Sequence, residues 1–151
     1  FYILLSMVCI KKINSKNSKS CYELDLISFN HWNLHQWENE LEKDYITAIA
    51  IYFKNSILGV CVFHKIFDEL EIRYLSVHPS YKRRGLGKKL IHEIIKDNKN
   101  DKVKRIFLEV SAENKQALSF YEYFGFETIS IRKKYYKDGS DALLKEKMLN
   151  K

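Results

Sequence analysis

LEIRYLSVHPSYKRRGLG, Leu70 to Gly87, decides how the rest of the chain is read. Leu70 to Val77 alternates as a strand. A short loop follows at Pro79, the only proline, and a basic, glycine-bearing turn then opens a helix. Gly85 and Gly87 leave backbone N–H groups uncovered, and a helix starting there presents orphan donors and the positive end of its dipole. Lys82, Arg83 and Arg84 add charge at the same place. The stretch reads as a cradle for an anionic, phosphate-bearing ligand. It lacks the G-x-x-x-x-G-K-[ST] of a P-loop and the three-glycine spacing of a dinucleotide fold, so neither a nucleoside triphosphate nor NAD is the expected ligand.

Downstream, Leu86, Leu90, Ile91, Ile94 and Ile95 recur at three and four residues, which predicts a helix from Gly85 to about Lys99. Asp97 to Lys102 is charged and ends it. Val103 to Val110 is a strand, and strand, helix, strand implies a parallel pair with a right-handed connection. Asn114 caps a further helix with Ala117, Leu118, Tyr121 and Phe124 on one face, and Gly125 stops it. Phe126 to Arg132 and Ala142 to Met148 are two final strands, joined through an Asp138-Gly139 turn.

Upstream, Tyr45 to Phe53 is β-branched and aromatic, hence a strand. Lys54 to Ser56 turns the chain into a return strand, Ile57 to Ile66, where Gly59 marks a bulge or a close approach. Before these lie an amphipathic helix over Cys21 to Phe29, a loop around Trp32, and a second helix. Asn33 caps that second helix, with Gln36 completing a capping box. A first strand is expected from about Leu4 to Ile13, and Asn14 to Ser20 is a polar turn. The sum is an α/β chain forming one domain over residues 1–151. It has a mixed sheet of about seven strands, antiparallel at first, a central parallel β-α-β unit and about four helices.

Composition agrees with a globular chain: of 151 residues, 46% are hydrophobic and 30% charged. The net charge of +7 suits an anionic ligand, nucleic acid or a lysine-rich composition, but no RNA-recognition, zinc-finger or helix-turn-helix pattern accompanies it. Cys9, Cys21 and Cys61 are odd in number and widely spaced, which argues for reduced thiols and a cytoplasmic setting. His31 and His35 stand four apart without a third ligand, so no metal is expected. The apolar run at the start is too short to span a bilayer and lacks the charged flank of a signal peptide. Met7 offers an alternative start, which would make Phe1 to Ser6 an upstream extension.

Two residues invite chemistry. Glu109 is the lone acid in the strand IFLEV. Such a carboxylate either pairs with a cation or points into a cleft, where burial raises its pKa towards that of a working base. Tyr121, seven residues after Asn114, can supply a proton to a leaving thiolate. A surface-facing Glu109 and a core Tyr121 are the plain alternatives.

HPSYKRRGLGKKLI, then LEVSAENKQALSFYEYFGFE, resembles the Gcn5-related N-acetyltransferase (GNAT) superfamily. The first segment matches its acetyl-CoA pattern, Gln/Arg-x-x-Gly-x-Gly/Ala, on Lys82 to Gly87. The second matches its strand, helix and Asn…Tyr…GF segment. The likeness covers Ile46 to the C-terminus. IRKKYYKDGSDALLKEKML is similar to the end of the protein N-terminal acetyltransferases, most of all the ribosomal-protein alanine acetyltransferases (RimI type).

The resemblance implies acetyl-CoA as co-substrate, without a metal. Backbone amides of Arg83, Arg84, Gly85, Leu86 and Gly87, extended by Lys88, would hold the CoA diphosphate, with Lys82 beside them. Leu75, Ser76 and Val77 would pair with the pantetheine arm, the central parallel strands would splay apart, and Asn114 would meet the arm or organise the helix start. Glu109 would act as general base, directly or through water, and Tyr121 as general acid on the CoA sulfur. Trp32, Tyr135 and Tyr136 would line the entry for an acceptor protein N-terminus, with a ribosomal protein the implied partner. No membrane, no specific nucleic acid, and a monomer or weak dimer complete the expectation.

The chain departs from the family at Lys82, where Gln or Arg is usual, and at His31, where proline is usual; Phe1 to Ser6 has no counterpart. Two other readings stay open on the residues alone. One is acetylation of a small-molecule amine or a lysine side chain. The other is a non-catalytic acetyl-CoA- or RNA-binding module.

Overall fold

The computed structural model describes residues 2–98 and 102–149. Phe1, the expected helix end at Lys99, and residues 100–101 of the expected charged stretch lie outside them. The elements run α1 (Tyr2–Met7), β1 (Val8–Ile13), a 3-10 turn (Ser15–Asn17), α2 (Ser18–Ser28), α3 (Leu34–Glu42), β2 (Ile46–Phe53), β3 (Ser56–Ile66) and β4 (Glu69–Val77). A second 3-10 turn (Pro79–Tyr81) leads to α4 (Leu86–Asn98), β5 (Arg105–Ser111), α5 (Lys115–Tyr123), β6 (Glu127–Arg132) and β7 (Ala142–Met148). Among the described residues the sheet has seven strands in the order β1-β2-β3-β4-β5-β7-β6, which is the mixed α/β arrangement expected.

The chain divides into two compact units, residues 1–64 with 74–98, and 65–73 with 99–151. In the first, β1 pairs antiparallel with β2 from Val8↔Phe53 to Ile13↔Ala48. That register explains why the first strand starts at Val8 and not near Leu4. Val8 lies opposite the last residue of β2, so earlier residues have no β2 partner and close their hydrogen bonds locally as α1. The short α1 brings the α-helices among the described residues to five. Asn14 to Ser20, expected as a turn, instead holds the first 3-10 turn and the start of α2, with Asn14 accepting from the Lys16 N–H.

β2 is buried along its middle, as its unbroken apolar run requires. Its two faces differ in size. Ala48 and Ala50 make room for Trp37 and join Ile13, Leu24, Val60 and Tyr74 in one core. On the other face Ile51 lies beside Gly59, where a Cβ would sit 3.0 Å from Ile51 Cγ2, 3.2 Å from the Ser76 carbonyl and 3.3 Å from Leu90. Gly59 also adjoins a bulge: it pairs with Ile51 while Ile57 pairs with Tyr52. Both readings offered for this glycine are therefore correct.

In the second unit, β5 lies parallel to the first part of β4, Glu69–Glu71 against Arg105–Phe107. Arg105 ties three strands, its guanidinium meeting Glu69 and Glu146 at 2.6 Å each. β5 then pairs antiparallel with β7 from Arg105↔Met148 to Ser111↔Ala142, and β6 closes the order on β7. Asn114 caps α5 by accepting from the Ala117 N–H. Gly125, at φ +85°, ends it: its N–H bonds the Glu122 carbonyl and the Phe126 N–H bonds that of Tyr121.

Candidate functional site

Each unit carries part of the expected site. In the first, β4 ends at Val77 and the His78 ring accepts from the Ser80 N–H to start the turn at Pro79. Arg83 and Gly85 both take left-handed backbone, φ +62° and +82°. Gly85 fits that conformation at little cost; Arg83 is held in it by the turn. The Gly85 carbonyl accepts the first helical bond of α4, from Lys89. Leu86 and Gly87 thus lie in the first turn, whose N–H groups have no acceptor within the helix. The Arg84 guanidinium sits over the Tyr81 ring, 5.3 Å from its centroid. The stretch therefore has the form of an anion cradle: a helix start, two left-handed residues and a cluster of cations.

The loop expected to meet the acceptor lies in the same unit. The capping box is formed, with Gln36 N–H to Asn33 at 2.8 Å and Asn33 N–H to Gln36 at 2.9 Å. Trp32 packs rather than projecting freely. It stacks on Tyr74 at a centroid distance of 5.5 Å and meets Trp37 edge-on at 4.8 Å. His31 stacks on Phe29 at 5.0 Å. Burial lowers the His31 pKa, against the opposing pull of Asp25 and Glu40, so its ring is neutral at pH 7.

Sequence reasoning missed the group beneath this loop. Asp25, in α2, is fully buried. Its carboxylate accepts from the backbone N–H of His31 (3.0 Å) and of Trp32 (2.9 Å), from Trp37 Nε1 (2.9 Å) and from the Tyr74 hydroxyl (3.0 Å). Tyr74 also bonds Ser76. Burial, more than the nearby Asp25 charge, raises the Cys21 thiol to about 12, which keeps it inert. The signal available in the sequence was an acid at the buried spacing Cys21, Leu24, Asp25.

In the second unit, Glu109 takes the first of its two alternatives: Arg132 Nε lies 3.1 Å from its Oε2. It sits on the half-exposed face of β5, where Ile106, Leu108 and Val110 alternate inward. The Arg132 guanidinium also covers the Tyr135 ring at 5.3 Å, and Tyr135 meets Tyr136 edge-on at 5.1 Å. The Tyr136 phenol is raised above its ordinary pKa, by burial first and then by the Glu109 charge. Glu109, Arg132, Tyr135 and Tyr136 therefore form one cluster. Tyr121 is buried, its ring edge-on to Phe120 and Phe126. Asn114 spends its carbonyl oxygen on the cap.

The loop that holds the two tyrosines is pinned by carboxylates. Asp138 accepts from the Ser140 hydroxyl and N–H, and Ser140 in turn accepts from Ser111 at 3.0 Å. Asp141 accepts from the Lys134 N–H and lies 3.5 Å from Lys133 Nζ. These two contacts, the first above all, hold the Asp141 carboxyl below its ordinary pKa. A depressed pKa means stabilisation that is present in full above the ordinary value, about 4, and lost as pH falls through the folded value. In an NMR titration the Lys134 amide should hold its shift from neutral pH down to about 4 and move below it. Asp141→Asn should move it at neutral pH.

A cleft of about 400 Å³ between α2 and the β2–β3 turn is lined by Glu23, Ile27, Tyr52, Asn55, His78 and their neighbours, and by none of the expected site residues. Among the described residues no helix is long and apolar enough to cross a membrane, and no group of three His, Cys, Asp or Glu is placed to hold a metal.

Comparison with known proteins adds four findings. The profile of the acetyltransferase (GNAT) family matches residues 13–126. The chain is 35% identical over 143 residues to the N-alpha-acetyltransferase RimI of Mycobacterium tuberculosis, 89% of each chain being covered. It is 37% identical over 82 residues to the [ribosomal protein bS18]-alanine N-acetyltransferase of Escherichia coli, a match spanning 52% of this chain and 55% of that one. The crystal structure of the ribosomal-protein-S18-alanine N-acetyltransferase from Escherichia coli superposes with a TM-score of 0.88 over 96% of both chains, at 23% identity.

Proposed function

The chain belongs to the acetyltransferase (GNAT) family, and from that premise we propose that it carries the acetyl group of acetyl-CoA to the α-amine of a protein N-terminus. As a member it is an acetyl-CoA-dependent N-acetyltransferase. The acceptor we assign is an alanine-led ribosomal protein N-terminus, the class named for the Escherichia coli relative, which would put the activity in the cytoplasm. The observation that carries the reading is the cluster in which Arg132 and Tyr136 flank the carboxylate of Glu109.

The cradle from Lys82 to Lys88 takes the CoA diphosphate on backbone donors, and Leu75 to Val77 offer backbone to the pantetheine arm. An α-ammonium has a pKa near 8, so a modest base frees its lone pair. Glu109 takes that proton, directly or through one water. The nitrogen attacks the thioester carbonyl, the C–S bond breaks, Tyr121 protonates the departing thiolate, and the second proton of the acylated nitrogen returns to the Tyr121 phenolate, while Glu109 releases the first to solvent. Trp32, Tyr135 and Tyr136 line the acceptor's path. Nucleophile and electrophile meet without a covalent enzyme intermediate, so positioning supplies much of the rate.

Incubation with acetyl-CoA and an alanine-led peptide, read by mass spectrometry, should show one acetyl group on the α-amine. A free polyamine and a peptide with a blocked N-terminus and an internal lysine serve as competitors. Acetylation of either competitor, with the α-amine untouched, overturns the acceptor assignment.

A further inference from the structure

We propose that Asp25 is the positioning residue of the acceptor loop, fixing His31 and Trp32 and tying them through Tyr74 to the donor-binding stretch of β4. The inference rests on the reading of Trp32 as part of the acceptor's path. The geometry is that of a saturated carboxylate. Oδ1 accepts from the His31 N–H and the Tyr74 hydroxyl; Oδ2 accepts from the Trp32 N–H and Trp37 Nε1. Two donors on each oxygen use the capacity of an ionised carboxylate in full.

All four partners are neutral, and Asp25 is 0% exposed. Burying a carboxylate is costly unless its hydrogen bonds are complete, and stability alone would favour an apolar residue there. What the charge holds points to its use. Two of the four bonds go to adjacent backbone amides of the loop, so they fix its path rather than any side chain. Helix α2 also ends at this residue, since the Asp25 backbone carbonyl, separate from its carboxylate, accepts from the Phe29 and Asn30 N–H groups. A third bond reaches Tyr74. With the phenol proton given to Asp25, the Tyr74 oxygen accepts from the Ser76 hydroxyl. Ser76 is the middle residue of Leu75 to Val77. One buried carboxylate thus joins the loop assigned to the acceptor and the strand assigned to the donor, within one compact unit.

Asparagine cannot replace it. Asp25→Asn keeps one acceptor oxygen and turns an NH₂ towards two donors. The full-length protein is read in two ways. Hydrogen exchange on the free enzyme should be at least about tenfold faster at the His31 and Trp32 amides, and unchanged at Ala50 and Val60 in the sheet. Steady-state kinetics should show the acceptor KM rising at least about tenfold, with the acetyl-CoA KM within about twofold. Tyr74→Phe removes one donor and leaves the other three, so the same two amides and the acceptor KM should shift in the same direction by a smaller factor; this variant carries the test if Asp25→Asn does not fold. Unchanged exchange at His31 and Trp32, or equal losses in both KM values, overturns the positioning role. A wild-type enzyme that acetylates no α-amine overturns the acceptor assignment instead; the kinetic arm is then run on whichever amine it accepts.

Discussion

Glu109→Gln should lower turnover of an alanine-led peptide by about 10²- to 10⁴-fold, the usual range for a lost general base. The KM for acetyl-CoA should stay near the wild-type value, because the donor contacts proposed for the cradle and β4 do not involve Glu109. The substitution is nearly isosteric, and the glutamine carbonyl still accepts from Arg132 Nε, which lies 3.1 Å from the present carboxylate. The lost charge matters little to the fold. The Arg132 side chain is 62% exposed and that of Glu109 28%, and pairs of that exposure contribute about 0–1 kcal/mol. A loss of 10² in turnover is about 2.7 kcal/mol of activation free energy, larger than the ion pair can supply. The comparison therefore separates chemistry from stability. Arg132→Ala is the control: it should shift the melting midpoint only slightly. A Glu109→Gln enzyme within about threefold of wild type would remove Glu109 from the base role. Tyr136 gives a second readout. Its phenol is raised partly by the Glu109 charge, so its titration should move down when that charge is removed.

Local signals in the sequence carried most of the architecture. Asn33 with Gln36 marks the start of α3 because both halves of the capping box lie within four residues. Gly125 marks the end of α5 because its left-handed backbone lets its own N–H and that of Phe126 turn back to the helix. Ala142–Met148 and the glycine-bearing turn that opens α4 were legible for the same reason: strand alternation and helix-start chemistry are written in consecutive residues. What stayed hidden depends on partners far along the chain. The Tyr74 hydroxyl and Asp25 are 49 positions apart, and an acid in the buried stripe of α2 looks like an error until its four donors are in place. Arg132 lies in the stretch IRKKYY quoted above, but its pairing with Glu109 was not legible there, since strand order decides that β7 and then β6 follow β5. The expected strand from Leu4 failed for a similar reason: apolar composition permits a strand, and only the length of β2 says where its ladder stops.

Trp37→Ala should destabilise the fold by about 3–5 kcal/mol, the range for truncating a buried tryptophan. Trp37 is 0% exposed. It lies on the small face of β2, over Ala48 and Ala50, and meets both Trp32 and Tyr74 edge-on at 4.8 Å. Two effects are mixed in the alanine variant: a cavity in a core that cannot collapse onto alanines, and the loss of the Nε1 donor to Asp25 at 2.9 Å. Trp37→Phe separates them. It keeps most of the ring volume and removes the donor, so it should cost about 1–3 kcal/mol, the cost of an incompletely bonded buried carboxylate. Urea unfolding is the measurement, with the midpoint falling and the slope unchanged. A loss below about 1.5 kcal/mol for Trp37→Ala would mean that the aromatic floor under Trp32 is not the packed core described. Against a total stability of about 5–15 kcal/mol, the expected loss leaves a marginal protein. Acetyl-CoA at one hundred times its dissociation constant should restore about 2.7 kcal/mol through binding to the folded state alone. A Trp37→Ala protein whose melting midpoint is raised by acetyl-CoA to that extent, yet which keeps a raised acceptor KM, would place the damage at the loop that Asp25 and Trp37 together support.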